Sequence, residues 1–238
     1  MNAVNIAAIR CLGAALMVCV SAPAFAQSQC KIPAKLASAR AEFPPPGSAV
    51  SAPITGYQLV MSWGPQFCKV NGDDKKHAPR CKDQKFGFTL DSLRADGVGR
   101  KNPVYCQRMG AVPGPVARAN YCATPSISEM SHIWAKYGSC IASDAATYFD
   151  AGRKAFETFK APDMNALSQK GLDVGGLRSA LAFANPGTRP EMFSVGLTPL
   201  GWLDHLRLCL DTRYQPRPCP ADVGGAGDGA AARIWPNY

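Results

Sequence analysis

In three stretches of the sequence, apolar residues occupy every second position, as they do in β-strands with one buried face. They run over residues 57–63, 86–91 and 206–210. In the second stretch the phenylalanines and the leucine share one face, so the pattern puts Asp91 on the opposite face. We therefore expect a sheet whose apolar side packs against helices and whose other side presents Asp91.

Helical spacing and a helix-start signal occur between the second and third strands. Ser126 and Glu129 form the S-x-x-E pattern of a capping box, and apolar residues recur at helical spacing over 127–134. We expect this helix to end at Gly138 in a left-handed cap. A second amphipathic helix is predicted over 148–159.

The remaining segments are dominated by residues that break helices and strands. Residues 31–51 contain a Pro-Pro-Pro-Gly break at 44–47, which neither a helix nor a central strand tolerates. Residues 221–232 are rich in glycine and alanine and predict a loop, after which Ile234 and Trp235 are expected to form an edge strand. The pattern indicates neither an internal repeat nor a second domain.

Residues 1–26 have the composition of a secretory signal peptide. They carry one positive charge at Arg10, an apolar run over 11–20, and a small-residue ending at Ala26, after which cleavage is expected. Residues 27–238 then form a single domain. The apolar run is shorter than the roughly 20 residues that a membrane-spanning helix needs. The sequence therefore predicts a periplasmic or extracellular protein without a membrane span.

Beyond that leader the chain has eight cysteines, and an even number in an exported protein indicates disulfides. They are Cys30, Cys68, Cys81, Cys106, Cys122, Cys140, Cys209 and Cys219. A zinc site is the competing interpretation, but the sequence has no C-x-x-C pair among them and its three histidines are scattered. We expect neither a metal nor a cofactor.

The formal charge of +9 favours acidic partners such as nucleic acid, a membrane surface or a polyanionic glycan. Many exported proteins are basic without binding nucleic acid, so a solubilising surface is an equally good interpretation of the charge alone. Basic pairs in the expected loops, Lys75 with Lys76 and Arg100 with Lys101, favour a polyanion slightly. RNA or another polyanion is therefore the expected partner.

The segment 131–140, SHIWAKYGSC, resembles the second active-site motif of the ribonuclease T2 family, HEWxKHGTC. The motif's first histidine, tryptophan, lysine, glycine and cysteine are retained as His132, Trp134, Lys136, Gly138 and Cys140. Tyr137 stands where the family has its second histidine, and Ile133 stands where it has its glutamate.

Two further segments are similar to motifs of the same family, in the same order along the chain. Residues 86–106 resemble the first active-site motif, FTxHGLWPDG followed by a proline and a cysteine, but residues 91–95 replace HGLWP. Asp91 takes the place of the motif's histidine, and Arg94 takes the place of its tryptophan. Residues 59–68 are similar to the family's opening strand, LxLxWxPxFC.

This resemblance implies an α+β fold, mainly an antiparallel β-sheet with helices packed on one face and four disulfides. The disulfides that it implies are Cys68–Cys81, Cys106–Cys140 and Cys209–Cys219, which leaves Cys30 for Cys122. Members of the family cut RNA by activating the 2′-hydroxyl against its own phosphate, which gives a 2′,3′-cyclic phosphate. One histidine takes the hydroxyl proton and another protonates the departing oxygen, while a lysine and a glutamate stabilise the transition state.

The substitutions in the two motifs affect the groups that move protons in that reaction. An aspartic acid has an unperturbed pKa of about 3.9 and is a weak base, whereas a tyrosine, at about 10, is a reluctant proton donor. Each general acid or base typically contributes about 10²- to 10⁴-fold to the rate. We therefore predict that activity is absent or lower by several orders of magnitude. The candidate catalytic positions are His132, Lys136, Asp91 and Tyr137, and the candidate substrate-binding residues are Arg94 and Trp63, although Trp63 is also expected in the core.

Three functions from different classes are consistent with the sequence. The first is a catalytically degenerate homologue that binds RNA or another polyanion. The second is an active T2-type endoribonuclease with atypical catalytic residues, in which His77 or His205 supplies the missing histidine. The third is an exported interaction or inhibitor module with a protein partner, for which the positive charge is incidental.

Overall fold

The computed structural model describes residues 30–237, with the exception of the Arg100 side chain. The expected signal peptide therefore lies outside the described residues. Four strands form one antiparallel sheet in the order β2-β1-β5-β4, and two short strands pair separately. The strands are β1 Ile54–Trp63, β2 Phe88–Gly97, β3 Leu172–Asp173, β4 Phe193–Leu197, β5 Leu203–Leu210 and β6 Ala231–Ala232. The three stretches predicted from alternation correspond to β1, β5 and the beginning of β2.

Helices connect and cover these strands. Within residues 30–237 the α-helices are α1 Gly64–Asn71, α2 Ala78–Cys81, α3 Gly114–Asn120, α4 Ile127–Ile133, α5 Ser139–Ile141, α6 Ala145–Thr158, α7 Met164–Ser168 and α8 Val174–Ala184. Single 3₁₀ turns lie at Lys75–His77, Val98–Arg100, Pro190–Met192 and Ala221–Val223. The predicted second amphipathic helix is α6, which begins earlier than expected because the Asp144 side chain accepts a hydrogen bond from the Thr147 amide and caps it.

One face of the sheet is apolar and forms the core together with the helices. Leu59, Met61 and Trp63 of β1 all point to this face, as the alternating pattern predicted. Met130 of α4, Phe149 of α6 and Leu177 of α8 belong to the same buried cluster. The α+β architecture, with helices packed on one face of a mainly antiparallel sheet, is therefore confirmed.

Four disulfides tie the loops together. They are Cys30–Cys122, Cys68–Cys81, Cys106–Cys140 and Cys209–Cys219, the pairs that the family resemblance implied. The first holds residues 30–42, called the arm below, against the chain that follows α3. The third joins the segment after β2 to α5, so it fixes the two motif segments relative to each other.

The predicted ending of α4 at a left-handed Gly138 is wrong. Ser126 does cap the helix start, where its hydroxyl accepts a hydrogen bond from the Glu129 amide. The helix then continues through a π-helical turn at Trp134–Gly138, and Gly138 itself has helical angles, φ −60° and ψ −37°. A Cβ at Gly138 would collide with the Trp134 indole, so packing rather than capping requires glycine there.

The predicted edge strand at the C-terminal end is also wrong. Instead of pairing along a strand, this segment makes a single backbone bridge between Arg233 and Trp202. Ile234 is buried, and the Trp235 ring stacks on Trp202 with 3.9 Å between ring centroids. Ring stacking and burial therefore anchor the segment without a ladder of hydrogen bonds. No helix among residues 30–237 is long and apolar enough to cross a membrane.

Candidate functional site

The face of the sheet opposite the core carries polar side chains. The strand register pairs Ser62 of β1 with His205 of β5, and Arg207 of β5 with Ser194 of β4, so these four side chains share one face. Gly196 is the residue of β4 that lies opposite His205. A Cβ at this glycine would collide with the imidazole, so its absence lets the histidine ring lie across β4.

A β-bulge directs Asp91 to the same polar face. The β1–β2 register shifts at this point and leaves Asp91 as the extra residue of β2. Its carboxylate accepts a hydrogen bond from the Ser62 hydroxyl. Burial raises the pKa of Asp91, although the charge of Arg80, the Ser62 hydrogen bond and the charge of Arg94 lower it. The carboxyl therefore keeps its proton to a higher pH than a free aspartic acid does.

His132 lies near the end of α4 and is held by the arm. Its Nδ1 is 2.8 Å from Glu42 Oε1, and the two side chains are 37% and 34% exposed. The Tyr105 hydroxyl donates to the same carboxylate oxygen at 3.4 Å. Because Glu42 engages Nδ1, the ring orientation is fixed and Nε2 is the nitrogen left for a ligand.

Lys136 and Tyr137 project from the π-helical turn, a rare geometry that occurs frequently at functional sites. The Tyr105 amide donates to the Lys136 carbonyl at 2.7 Å and so anchors the turn. The Arg94 guanidinium lies 4.8 Å from the centroid of the Tyr137 ring, and the Lys136 ammonium lies 5.3 Å from it. Tyr137 therefore packs against two cations, at distances typical of cation–π contacts.

Two arginines, Arg94 of β2 and Arg207 of β5, lie on the polar face on either side of β1. Burial and the nearby charge of Arg94 lower the pKa of Arg207. The Arg207 guanidinium donates to the Val223 carbonyl at 3.2 Å, which holds it in place. Like charges held close together repel, and an anion bound between them would relieve that repulsion. The region between these arginines is therefore suited to a phosphate or carboxylate ligand. Together with the side chains of Asp91, His132, Lys136 and Tyr137 it is called the cleft below.

Two residues near Asp91, Glu129 and Arg80, were not identified from the sequence as part of this site. The Glu129 side chain is exposed at the rim of the cleft, yet enough protein surrounds its carboxyl that burial, followed by the charge of Asp91, raises its pKa. Glu129 precedes His132 by three residues, and this helical spacing was the signal that could have identified it. Arg80 is 8% exposed and donates a hydrogen bond to the Thr89 hydroxyl. No spacing in the sequence connects it to this site.

The structure brings Asp91, Arg94, His132, Lys136 and Tyr137 together around one cleft. The charge of Arg94 lowers the pKa of Asp91, and the charges of Asp91 and His132 both affect the pKa of Glu129. The Lys136 and Arg94 cations both contact the Tyr137 ring. These are five of the six residues singled out from the sequence.

Trp63 does not belong to this cleft. It is only 1% exposed and packs with Phe88 on the core face of the sheet, so the predicted substrate-binding role is wrong. The reason is the period of a strand, which sends alternate residues of β1 to the core. Of the two histidines considered as replacements, His77 packs edge-on against Phe67, whereas His205 lies on the polar face close enough to affect the ionisation of Asp91.

The described part of the chain has no group of three or more His, Cys, Asp or Glu side chains placed to hold a metal ion. The cleft instead combines carboxyl groups, imidazoles, a phenol and several cations. Such a set can bind an anion and can exchange protons with it.

The fold and the cleft define a protein with the ribonuclease T2-like α+β architecture. Trichomaglin, a novel S-like ribonuclease, matches with a TM-score of 0.61 and 18% identity, covering 76% of this chain and 97% of that one. An RNase-related protein from Calystegia sepium matches with a TM-score of 0.60 and 17% identity, covering 77% and 98%. RNase NT in complex with 5′-AMP matches with a TM-score of 0.54 and 16% identity, covering 78% and 100%. At these identities the likeness establishes the fold alone.

In sequence, the chain is similar to a probable ribonuclease of Haemophilus influenzae. The two are 24% identical over 129 residues, which is 49% of this chain and 47% of that protein. The chain therefore spans about half the length of the curated relative it matches. No protein-family model matches the sequence.

Proposed function

We propose that this chain is an exported protein of the ribonuclease T2 family whose cleft binds RNA or another polyanion without cutting RNA at a rate typical of the family. The observation that carries the proposal is the composition of the cleft, in which Asp91 and Tyr137 take the motif positions of the two histidines among cations. The shared fold with RNase NT, whose structure contains 5′-AMP, supports a nucleotide ligand.

The cations of the cleft support binding. Arg94 and Arg207 lie on the polar face on either side of β1, and Lys136 lies beside Tyr137. Charge-assisted hydrogen bonds from arginine and lysine are the usual means of holding phosphates. Export is supported by the four disulfides, which persist mainly in oxidising compartments.

The proton chemistry argues against efficient cleavage. Cutting RNA needs one group that takes the 2′-hydroxyl proton and another that protonates the leaving oxygen. His132 can serve in one of these roles, with its ring oriented by Glu42. Its family partners are replaced by a carboxyl and a phenol, and the carboxylate of Asp91, when ionised, also repels the phosphate.

A second candidate function is an active T2-type endoribonuclease with atypical catalytic residues. The observation in its favour is the burial that raises the pKa of Asp91 and of Glu129. A carboxyl whose pKa lies closer to neutrality is a better acid–base catalyst. His205, on the same sheet face, is a further candidate for the missing imidazole.

The test is incubation of purified, disulfide-intact protein with single-stranded RNA between about pH 5 and pH 8. Binding without cleavage, which weakens steeply with salt, is the result that the proposal expects. Cleavage that is lost in His132→Ala and retained in the exposed-lysine control Lys170→Ala would instead establish the second function. If RNA is neither bound nor cut, both nucleic-acid functions are refuted and the protein-interaction hypothesis remains.

A further inference from the structure

The arm lies on the surface beside α4 and shows a repeat of three residues. Every third side chain is partly shielded by the protein, namely Cys30, Pro33, Leu36, Ala39 and Glu42. Of the residues between them, only Ala41 is shielded as well. A repeat of three is that of an extended chain of the polyproline II type, which makes no backbone hydrogen bonds of its own. The arm therefore has one side that faces the protein and an outward side that faces solvent.

Several contacts hold the arm in this orientation. The disulfide between Cys30 and Cys122 fixes its beginning. Arg118 donates hydrogen bonds to two of its backbone carbonyls, at 3.2 and 2.6 Å. Its end is held by the ion pair between Glu42 and His132. The outward side chains are thus presented by a fixed backbone, which lowers the entropy lost when a partner binds to them.

The outward side of the arm carries positive charge that no acidic side chain compensates. Lys31, Lys35 and Arg40 are exposed, and none of them forms an ion pair among residues 30–237. Glu42 is the only carboxylate of the arm, and it is already engaged by His132. An anionic surface placed against the arm would therefore meet three unpaired cations.

This basic surface extends beyond the arm. A cavity of about 560 Å³ lies between the arm and α4, and Lys35, Arg40 and Lys76 all contribute to its lining. The arm and the 3₁₀ turn that contains Lys76 therefore adjoin each other around the cavity. Lys76 pairs with Asp74, so it adds less uncompensated charge than the cations of the arm do.

Large apolar side chains are exposed at both ends of the arm. Ile32 is 39% exposed, and Phe43, the residue that follows the arm, is 67% exposed. The Arg108 guanidinium lies 6.0 Å from the centroid of the Phe43 ring, so a further cation is close to it. Aromatic and aliphatic side chains next to lysine and arginine are the combination with which proteins bind the interface of an anionic membrane.

We propose that the outward side of the arm, together with Phe43, binds an anionic lipid surface. Its cations contact the headgroup phosphates, while Ile32 and Phe43 enter the boundary between headgroups and acyl chains. Nucleic acid fits this surface less well, because its charged backbone offers no apolar layer for an aliphatic side chain such as Ile32. None of these residues belongs to the cleft, so the inference goes beyond the proposed function and does not rest on it.

The experiment measures co-sedimentation of the full, disulfide-intact protein with vesicles of phosphatidylcholine and phosphatidylglycerol in equal amounts. Vesicles of phosphatidylcholine alone should bind at least about tenfold more weakly. A cation near an anionic bilayer contributes about fivefold to the affinity, so Lys35→Gln/Arg40→Gln should weaken binding about 25-fold. Phe43→Ser should weaken it about fivefold or more, because the ring no longer leaves water. These side chains are exposed, so the melting temperature should not change.

Matched variants test whether the position of the charge and of the ring matters. Lys170→Gln/Arg213→Gln removes the same charge from exposed positions elsewhere. Phe183→Ser removes a phenylalanine that is 92% exposed near the end of α8. Each should leave vesicle binding within about twofold of that of the unmodified protein. A control that weakens binding as much as its counterpart in the arm overturns the proposal.

Three other results would also overturn it. The first is no binding to the phosphatidylglycerol vesicles, and the second is binding that is lost in Arg94→Gln but kept in Lys35→Gln/Arg40→Gln. The third is an arm variant that weakens the binding of single-stranded RNA as strongly as that of vesicles, because the arm would then be a nucleic-acid surface. If vesicle binding depends on the arm and RNA is not bound at all, the lipid site stands and the proposed function fails.

Discussion

Removing one cation from the cleft should weaken the binding of single-stranded RNA and reduce its dependence on salt. Arg94, Lys136 and Arg207 are the partly buried cations around Tyr137 and Asp91. Each phosphate neutralised on a single strand contributes about −0.7 to the slope of log affinity against log salt. Three contacts predict a slope of about −2 for the unmodified protein and about −1.4 for Arg94→Gln.

The affinity itself should fall in parallel with the slope. A hydrogen bond to a charged group contributes about 1.5 to 3 kcal/mol, so Arg94→Gln should weaken binding by about 10- to 150-fold. The assay is fluorescence anisotropy of a short labelled RNA, titrated with protein at salt concentrations from about 50 to 300 mM.

A charge-matched control distinguishes the cleft from the general surface. Lys170→Gln removes the same charge from an exposed loop position after α7 and should change neither slope nor affinity appreciably. The reasoning is refuted if Arg94→Gln keeps the slope of the unmodified protein, or if Lys170→Gln lowers the slope equally. Either result would mean that RNA is held by diffuse surface charge rather than by this cleft.

Three stability predictions follow from the same geometry. Burial raises the pKa of Asp91 above its value in the unfolded chain, which is about 3.9. The ionised carboxylate therefore destabilises the folded protein at pH values above the folded pKa. This destabilisation is absent at pH values below about 3.9, where the carboxyl is protonated in both states. Asp91→Asn should therefore stabilise the protein near neutral pH, with the gain vanishing as the pH falls through the folded pKa, as urea unfolding at several pH values will measure. Gly138→Ala should cost about 1 to 3 kcal/mol in chemical denaturation, since the new methyl group meets the Trp134 ring. Replacing the disulfide Cys106–Cys140, which spans 34 residues, by serines should cost about 4 kcal/mol of unfolding free energy.

Each of these changes has a matched control. Asp222→Asn alters an exposed carboxylate and should show no comparable gain at neutral pH. Gly227→Ala places its methyl group in open space and should be nearly neutral. The disulfide Cys209–Cys219 spans only 10 residues, so its loss should cost about 1 kcal/mol less than that of the longer loop. A gain for Asp91→Asn that persists at acid pH, a neutral Gly138→Ala, or a reversed order of the disulfides would contradict the respective argument.

Local patterns were sufficient for much of the fold. The alternation in β1 and β5 predicted which side chains face the core, because a strand sends successive side chains to opposite faces whatever surrounds it. The Ser126 cap was equally readable, since it depends on residues three positions apart. The disulfide pairs followed only from the family resemblance, because spacing alone leaves their connectivity open.

Where local patterns failed, the packing of tryptophan rings decided the outcome. Gly138 was expected to end a helix, but the Trp134 indole needs the space that a side chain would fill, and the chain stays helical. Trp235 was expected to extend a strand, but stacking on Trp202 anchors it instead.

By itself, the sequence determined β1, β5 and the beginning of β2, the start of α4, and the motif positions that hold a carboxyl and a phenol in place of imidazoles, because those features depend on residue type and short spacing. Only the tertiary structure decided that Glu42 holds His132, that Glu129 and Arg207 lie at the cleft, and that a cavity lies between the arm and α4. The physical reason is that contacts across 90 residues of chain, such as Glu42 with His132, leave no periodic trace in the sequence. Burial, which sets the ionisation of Asp91, likewise exists only once the chain has folded.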